Sequence, residues 1–248
     1  MSYKNSIKNY NVNGFVVLKN VFSQKDIKKI LQDLENTKQL LKKTKDRKFF
    51  HKTKDGKINT IHNVQEFYKE NKIKNLIKKN KLSKCLKSIL GNSYQIRNIE
   101  FFLKPKKTGM PSPFHQDNFY WNIENAQALN VWIALTKSNK NNGGLCYLKN
   151  SHALGTIKHQ ISFAKGSSQK IPIKVLNKLK FKRIFPILSE GDCLIHHPEV
   201  IHGSFSNKSN FDRSGVVVSF LKKNAKIDLK KMNNYKKSVK ANHEKLYF

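Results

Sequence analysis

The chain has 248 residues and 28.8 kDa, 38% hydrophobic and 26% charged, with 49 Lys plus Arg against 16 Asp plus Glu for a formal net charge of +33. That length can bury a sizeable core, while 11 Gly and 6 Pro exclude collagen-like and low-complexity chains. No apolar run approaches the roughly 18–20 residues of a membrane helix, and Cys85, Cys146 and Cys193 stand in no CxxC spacing, against a disulfide framework or a cysteine-rich zinc site and for a reducing, cytoplasmic setting.

Met1 to Asn5 runs straight into polar residues without an apolar segment, so no secretory leader is expected. Gly14 to Leu18 is a short strand candidate. Ser23 then caps a helix, with Asp26 three residues on as a variant capping box and Ile27, Ile30, Leu31 and Leu34 at helical spacing. Asp55-Gly56 marks a turn inside a hairpin or irregular excursion from Phe49 to Ile61. From Val64 to Leu90 the apolar positions recur every three or four residues, which reads as two helices ended by Gly91.

Beyond Gly91 the texture changes. Runs rich in β-branched and aromatic residues (Tyr94 to Leu103, Ala128 to Leu135, Leu145 to Leu148, Cys193 to His197, Val216 to Leu221) alternate with Gly, Asn, Pro and Ser clusters. Strands without long helices between them predict an all-β core with flanking helices, an antiparallel sandwich or barrel carrying the N-terminal helices on one side. The stretch from Lys222 is lysine-rich with no sustained apolar face and reads as a tail.

The charge would attract nucleic acid, an anionic surface or an acidic substrate. Only Arg47, Arg97, Arg183 and Arg213 are arginines, however, and the lysines travel with abundant Asn and Ile and without regularly interleaved aromatics. Compositional bias is therefore favoured over nucleic-acid binding, and an anionic substrate fits either origin.

His115 and Asp117 lie two apart, on one face if the segment is a strand. Such a pair is common by chance. Gly191 to Pro198 and Ile201 to Ser204 follow, with Arg213 at the start of the last apolar run. If those segments form a hairpin, Arg213 folds back beside His202. Two His and one carboxylate suit non-haem Fe(II), and an arginine offers a two-pronged anchor for a carboxylate.

His115-Gln116-Asp117-Asn118-Phe119-Tyr120-Trp121, Asn130 to Leu135, Asn142-Gly143-Gly144-Leu145, Ser151-His152 with Gly155, Gly191-Asp192 with His197-Pro198, and His202-Gly203-Ser204 with Arg213 together resemble the phytanoyl-CoA dioxygenase (PhyH-like) family. The likeness runs from a Tyr10 to Leu18 opening strand to about Leu221. It implies a double-stranded β-helix (jelly roll, cupin-like) in a single domain over 1–222. The helical part is 1–91, the core 92–222, and 223–248 the tail. It also implies an Fe(II)- and 2-oxoglutarate-dependent dioxygenase that uses dioxygen to hydroxylate a small molecule, with 2-oxoglutarate going to succinate and CO2. Carried over by position, His115, Asp117 and His202 are the metal ligands, Arg213 binds the distal carboxylate of 2-oxoglutarate, and Ser204 and Trp132 lie against the co-substrate. Halogenating relatives lack the carboxylate that Asp117 supplies, so hydroxylation is expected. A nucleic-acid demethylase of the same fold and a non-catalytic metal-binding scaffold are the alternatives.

The other candidates carry less. His196 and His197 face opposite sides of a strand, and His197-Pro198 reads as turn-shaping. His152 reads as loop-fixing, and Phe119 to Trp121 divide evenly between substrate entrance and core. Glu100 and Phe102 share a face that reaches towards the site. His51, His62, His159 and His243 have no partner legible in sequence, and Lys137 to Asn142 and Phe163 to Gln169 are lid candidates.

Overall fold

A computed structural model describes residues 3–43, 49–69, 72–78, 80–164 and 166–246. Arg47, Lys165 and the last two residues of the tail lie outside them. In chain order the elements are α1 (Tyr3–Asn13), β1 (Phe15–Leu18), α2 (Gln24–Lys43), β2 (Phe50–Lys52), β3 (Ile58–Ile61), α3 (Val64–Phe67), α4 (Ile73–Leu76), α5 (Asn80–Leu90), β4 (Tyr94–Lys104), β5 (Ser112–His115), α6 (Asp117–Trp121), β6 (Ala128–Ala134), β7 (Leu145–Leu148), β8 (Gln160–Ile161), β9 (Gln169–Lys170), α7 (Ile173–Lys178), β10 (Arg183–Ile184), β11 (Cys193–His196), β12 (His202–Ser204), β13 (Arg213–Lys222) and α8 (Leu229–Leu246).

Two antiparallel sheets form the core. The larger runs β1-β11-β6-β13-β4-β3-β2 and the smaller β10-β7-β12-β5. Parity along the strands assigns the faces. Ile99, Phe101, Val131, Ile133, Ile195, Val216 and Val218 turn outward into one apolar cluster with Ile27, Ile30, Leu34, Ile73, Leu82 and Leu86 of the N-terminal helices. Trp132, Leu194 and Val217 turn inward and meet Tyr147 of the smaller sheet. β6 is buried along its whole length, which is why it reads as an apolar run broken only by Asn130. The two-sheet core of a double-stranded β-helix with helices on one side is as expected.

Local signals explain most boundaries. Ser23 Oγ and Asp26 exchange hydrogen bonds at the start of α2 (Ser23 Oγ to Asp26 Oδ2 2.8 Å, Asp26 N to Ser23 Oγ 3.2 Å), the capping box foreseen. The 49–61 hairpin forms, and Gly91 ends α5 at φ +82°.

Four expectations change. Tyr10 sits in α1, so the opening strand begins at Phe15; the helix is held by buried Ser6 and Tyr10 rather than by a strong periodic face. The 64–90 region holds three helices, because single-turn α3 and α4 bury only Val64, Ile73 and Leu76 before α5 begins. β12 and β13 do not pair as a hairpin. They belong to different sheets, and residues 205–212 cross between them. Finally, much of the lysine-rich tail is α8, whose Tyr235 donates or accepts a 3.2 Å bond with Ser168 and packs edge-on to Phe119 and Tyr120. No helix among the described residues is long and apolar enough to cross a membrane.

Candidate metal centre and adjoining cavity

His115 and Asp117 do converge, but not as strand neighbours. β5 ends at His115, Gln116 is extended (φ −125°, ψ 132°), and Asp117 opens α6. Gln116 pins that change of direction. Its side chain donates to Gly155 O (2.7 Å) and Glu199 O (2.6 Å) and accepts from Ile157 N (2.8 Å), while its own N–H donates to His159 Nε2 (3.0 Å). Asn118 continues the clamp by accepting from Ile123 N (3.0 Å), and Asn122 closes α6 in the left-handed region at φ 52°.

Register supplies the third group. His202 on β12 lies directly across from His115 on β5, with ring centroids 4.4 Å apart. The donor atoms of His115, Asp117 and His202 all fall within 4.8 Å of one another. Both rings are in the tautomer a metal needs. His115 Nδ1 donates to Pro113 O (2.7 Å) and His202 Nδ1 to Val200 O (3.0 Å), so in the neutral rings each Nε2 keeps a bare lone pair. Burial pushes the His202 pKa down to about 3 against the pull of Asp117, which keeps this ring neutral. Burial also lowers His115, but the hydrogen bond and charge of Asp117 outweigh it and the net shift is upward.

Asp117 is held from behind. Its Oδ2 accepts from His196 Nε2 (2.9 Å) and Asn130 Nδ2 (2.8 Å), leaving Oδ1 towards His115. With Nε2 donating, His196 Nδ1 accepts from the Tyr147 hydroxyl (2.9 Å). Burial raises the Asp117 pKa, yet the surrounding His202, His115 and His196 drive it well below the usual carboxylate value. His196 therefore orients the carboxylate and stands outside the three-residue donor set, whereas His197 shapes the turn by accepting from Glu199 N (3.1 Å). His152 fixes the loop as expected, donating from Nε2 to Asn11 O (3.0 Å).

Beside this cluster lies a buried cationic seat. Arg213, 1% exposed, donates from Nη2 to Gly143 O (2.6 Å), its guanidinium is 5.4 Å from the Trp132 ring, and its buried Nε has no partner. Directly across the β13–β4 ladder stands Lys104, 2% exposed, whose Nζ donates to Ser204 Oγ (2.6 Å) and Phe205 O (2.5 Å). Burial and the neighbouring arginine hold the Lys104 pKa well below normal. Among the described residues neither cation forms an ion pair. Trp132 faces the Arg213 guanidinium, and Ser204 accepts from Lys104. Lys104 was not foreseen, although its parity with Asn98, Glu100 and Phe102 aims it inward.

A cavity of about 1080 Å³ opens in front of the cluster, lined by His115, Asp117, His202, Arg213, Trp132 and Ser204 and by Arg97, Glu100, Phe102, Tyr120 and Trp121. Glu100 and Phe102 thus reach it. Of the three aromatics after Asp117, Phe119 turns away and stacks on His159 at 4.1 Å. Of the two lid candidates, residues of 163–168 line the cavity together with Tyr235 and Val239 of α8, and 137–142 do not. His62 pairs with Glu100 at 2.5 Å.

A donor set of two imidazole nitrogens and one carboxylate suits a non-haem ferrous ion with open positions. The orphaned Arg213 Nε beside Lys104 suits a dianion next to it.

A family model described as "Phytanoyl-CoA dioxygenase (PhyH)" matches residues 10–215. The chain is 24% identical over 224 residues to human "Phytanoyl-CoA dioxygenase, peroxisomal", covering 86% of this chain and 66% of that protein, just short of two thirds of its length. It is 22% identical over 218 residues to the "Probable alpha-ketoglutarate-dependent hypophosphite dioxygenase" of Stutzerimonas stutzeri, covering 84% and 74%. Among solved structures, EctD from S. alaskensis with 2-oxoglutarate and 5-hydroxyectoine superposes with a TM-score of 0.73 at 17% identity, over 92% of this chain and 78% of that one. The non-heme alpha ketoglutarate dependent carbocyclase SnoK from nogalamycin biosynthesis gives 0.72 at 18%, over 92% and 86%. At such identities the structures show a shared fold.

Proposed function

The chain belongs to the phytanoyl-CoA dioxygenase family, and on that premise we propose that it is an Fe(II)- and 2-oxoglutarate-dependent dioxygenase that hydroxylates a small molecule. One juxtaposition carries the reading: a cluster of two histidines, each donating from Nδ1 to a backbone carbonyl, and a carboxylate sits beside a buried arginine whose Nε has no partner. His115, Asp117 and His202 would hold the metal, and Arg213 the distal carboxylate of 2-oxoglutarate, with Ser204 and Trp132 against it. Bound there, Fe(II) would supply the redox chemistry for activating dioxygen, so that substrate C–H, O2 and 2-oxoglutarate become substrate C–OH, succinate and CO2.

The chain's own residues have separate tasks. His196 and Asn130 fix the Asp117 carboxylate through Oδ2, so that Oδ1 would be free to take a metal. Lys104 holds the Ser204 hydroxyl beside Arg213. Tyr120, Trp121, Tyr235, Phe163, Ala164 and Gly166 to Ser168 wall the cavity and limit water, so that a reactive centre would meet the substrate before solvent. A cytoplasmic location accords with three free cysteines, all buried.

Anaerobic titration of the Fe(II)-loaded chain with 2-oxoglutarate tests this. The expected result is a visible metal-to-ligand charge-transfer band that is absent in His202→Ala. A folded, iron-loaded chain that stays colourless overturns it. Arg213→Ala should raise the 2-oxoglutarate requirement by a loss of roughly 2–5 kcal/mol of charge-pair binding, and an unchanged requirement removes Arg213 from the site.

A further inference from the structure

β4 carries one irregularity. Along its ladder with β13, Ser219 faces Asn98 and Phe220 faces Ile96, so Arg97 is an extra residue with no partner opposite. On an unbroken strand, parity would turn Arg97 outward with Ile99 and Phe101, into the apolar layer beneath the helices. The bulge re-aims it, and Arg97 lines the cavity beside Asn98, Glu100 and Phe102. There its guanidinium lies 4.9 Å over the Trp121 ring, which backs it. Among the described residues the guanidinium has no hydrogen-bond acceptor and no carboxylate within ion-pair distance.

The charges around it do not cancel. Glu100 is engaged by His62 at 2.5 Å, and Asp117 by His196, Asn130 and the candidate metal set. On the cation side, Arg213 is assigned to the co-substrate, whereas Arg97 has no such occupant; Lys52 adds a further positive charge to the lining. Burial lowers the Arg97 pKa despite the nearby carboxylates, as for a cation short of both water and a counter-charge.

We propose that Arg97 is the specificity-determining anchor of the substrate pocket, and that the substrate is a small molecule whose carboxylate or phosphonate group pairs with this guanidinium while an apolar or aromatic portion lies along Tyr120, Phe102 and Trp121. The proposal rests on the oxygenase reading only in taking this cavity as the substrate site. Arg97 acts in binding and positioning; it holds the far end of the molecule and leaves the C–H chemistry to the centre at His115, Asp117 and His202.

Calorimetric titration of the 248-residue chain with matched acid and neutral probes tests the pairing. 3-Phenylpropanoate is compared with 3-phenylpropanamide, and benzylphosphonate with its dimethyl ester, at saturating 2-oxoglutarate and again in Arg213→Ala. The second condition removes the other anion seat and does not require 2-oxoglutarate to bind. At least one acid should bind tenfold or more tighter than its neutral partner. That preference should survive Arg213→Ala, fall to within twofold in Arg97→Gln and be intermediate in Arg97→Lys, which keeps the charge but loses the fork. Which acid prevails separates carboxylate from phosphonate. Equal binding of acid and neutral probe in the unsubstituted chain, no measurable binding of either acid, or an acid preference retained in Arg97→Gln overturns the proposal. A missing 2-oxoglutarate charge-transfer band with an intact Arg97-dependent preference would instead overturn the oxygenase reading alone.

Discussion

At His196 the difference between a ligand and the residue behind a ligand becomes concrete. Its ring touches Asp117 through Nε2 and Tyr147 through Nδ1, so it is fixed at both ends and available to neither solvent nor metal. His196→Ala should weaken Fe(II) binding about 10–100-fold while the fold survives, measured by metal titration alongside thermal melting. An unchanged affinity would deny it any hold on the carboxylate. His115 governs the pH response. Its pKa in the metal-free fold is raised above 6.5 by Asp117, and a metal must displace that proton. Metal affinity should therefore be full at alkaline pH and fall as pH drops through that raised value, with proton release on binding seen by calorimetry in buffers of differing ionisation heat. That His115, Asp117, His202 and Arg213 come together at one cavity was legible in sequence because their order and neighbours match a family pattern. His196, Lys104 and Asn130 were not, since a residue that acts through another reveals itself only when register is known: His196 lies across from Asn130 in the β11–β6 ladder.

Among the elements, strands declared themselves better than their pairings. Parity and β-branched content mark β4, β6 and β13, but nothing local says that β12 and β13 part into different sheets, because the crossing depends on which edges are already occupied. The same holds for α8, whose polar sequence hides a helix tied down by Tyr235 and by Ser238, which accepts from Gln169 Nε2 (3.3 Å). Gly215 on β13 is where element and site meet. A Cβ there would stand 2.1 Å from the Trp132 ring, and Trp132 faces Arg213. Gly215→Ala should cost about 1–3 kcal/mol by overpacking and reduce 2-oxoglutarate affinity by displacing Trp132. Melting and titration would check both, and a variant with native affinity would show that the indole can yield without moving the site.

For the molecule as a whole, the +33 charge is concentrated outside, because Asp33, Asp117 and Asp192 are spent on buried contacts. Such self-repulsion is screened over roughly 10 Å at 0.1 M salt, so the melting temperature should climb between low and moderate ionic strength; a flat response would mean the lysines are too dispersed to matter. Inside, the neighbouring Arg213 and Lys104 repel one another, and among the described residues neither pairs with a carboxylate. A dianion seated there would relieve that repulsion, so the co-substrate would act as ballast for the fold as well as fuel for the reaction. A ligand at a hundred times its Kd adds about 2.7 kcal/mol. Metal-free chain should accordingly resist proteolysis better with 2-oxoglutarate than without, and Lys104→Met should be sturdier alone and gain less. In a cell the lifetime of the protein would then follow the supply of its own co-substrate.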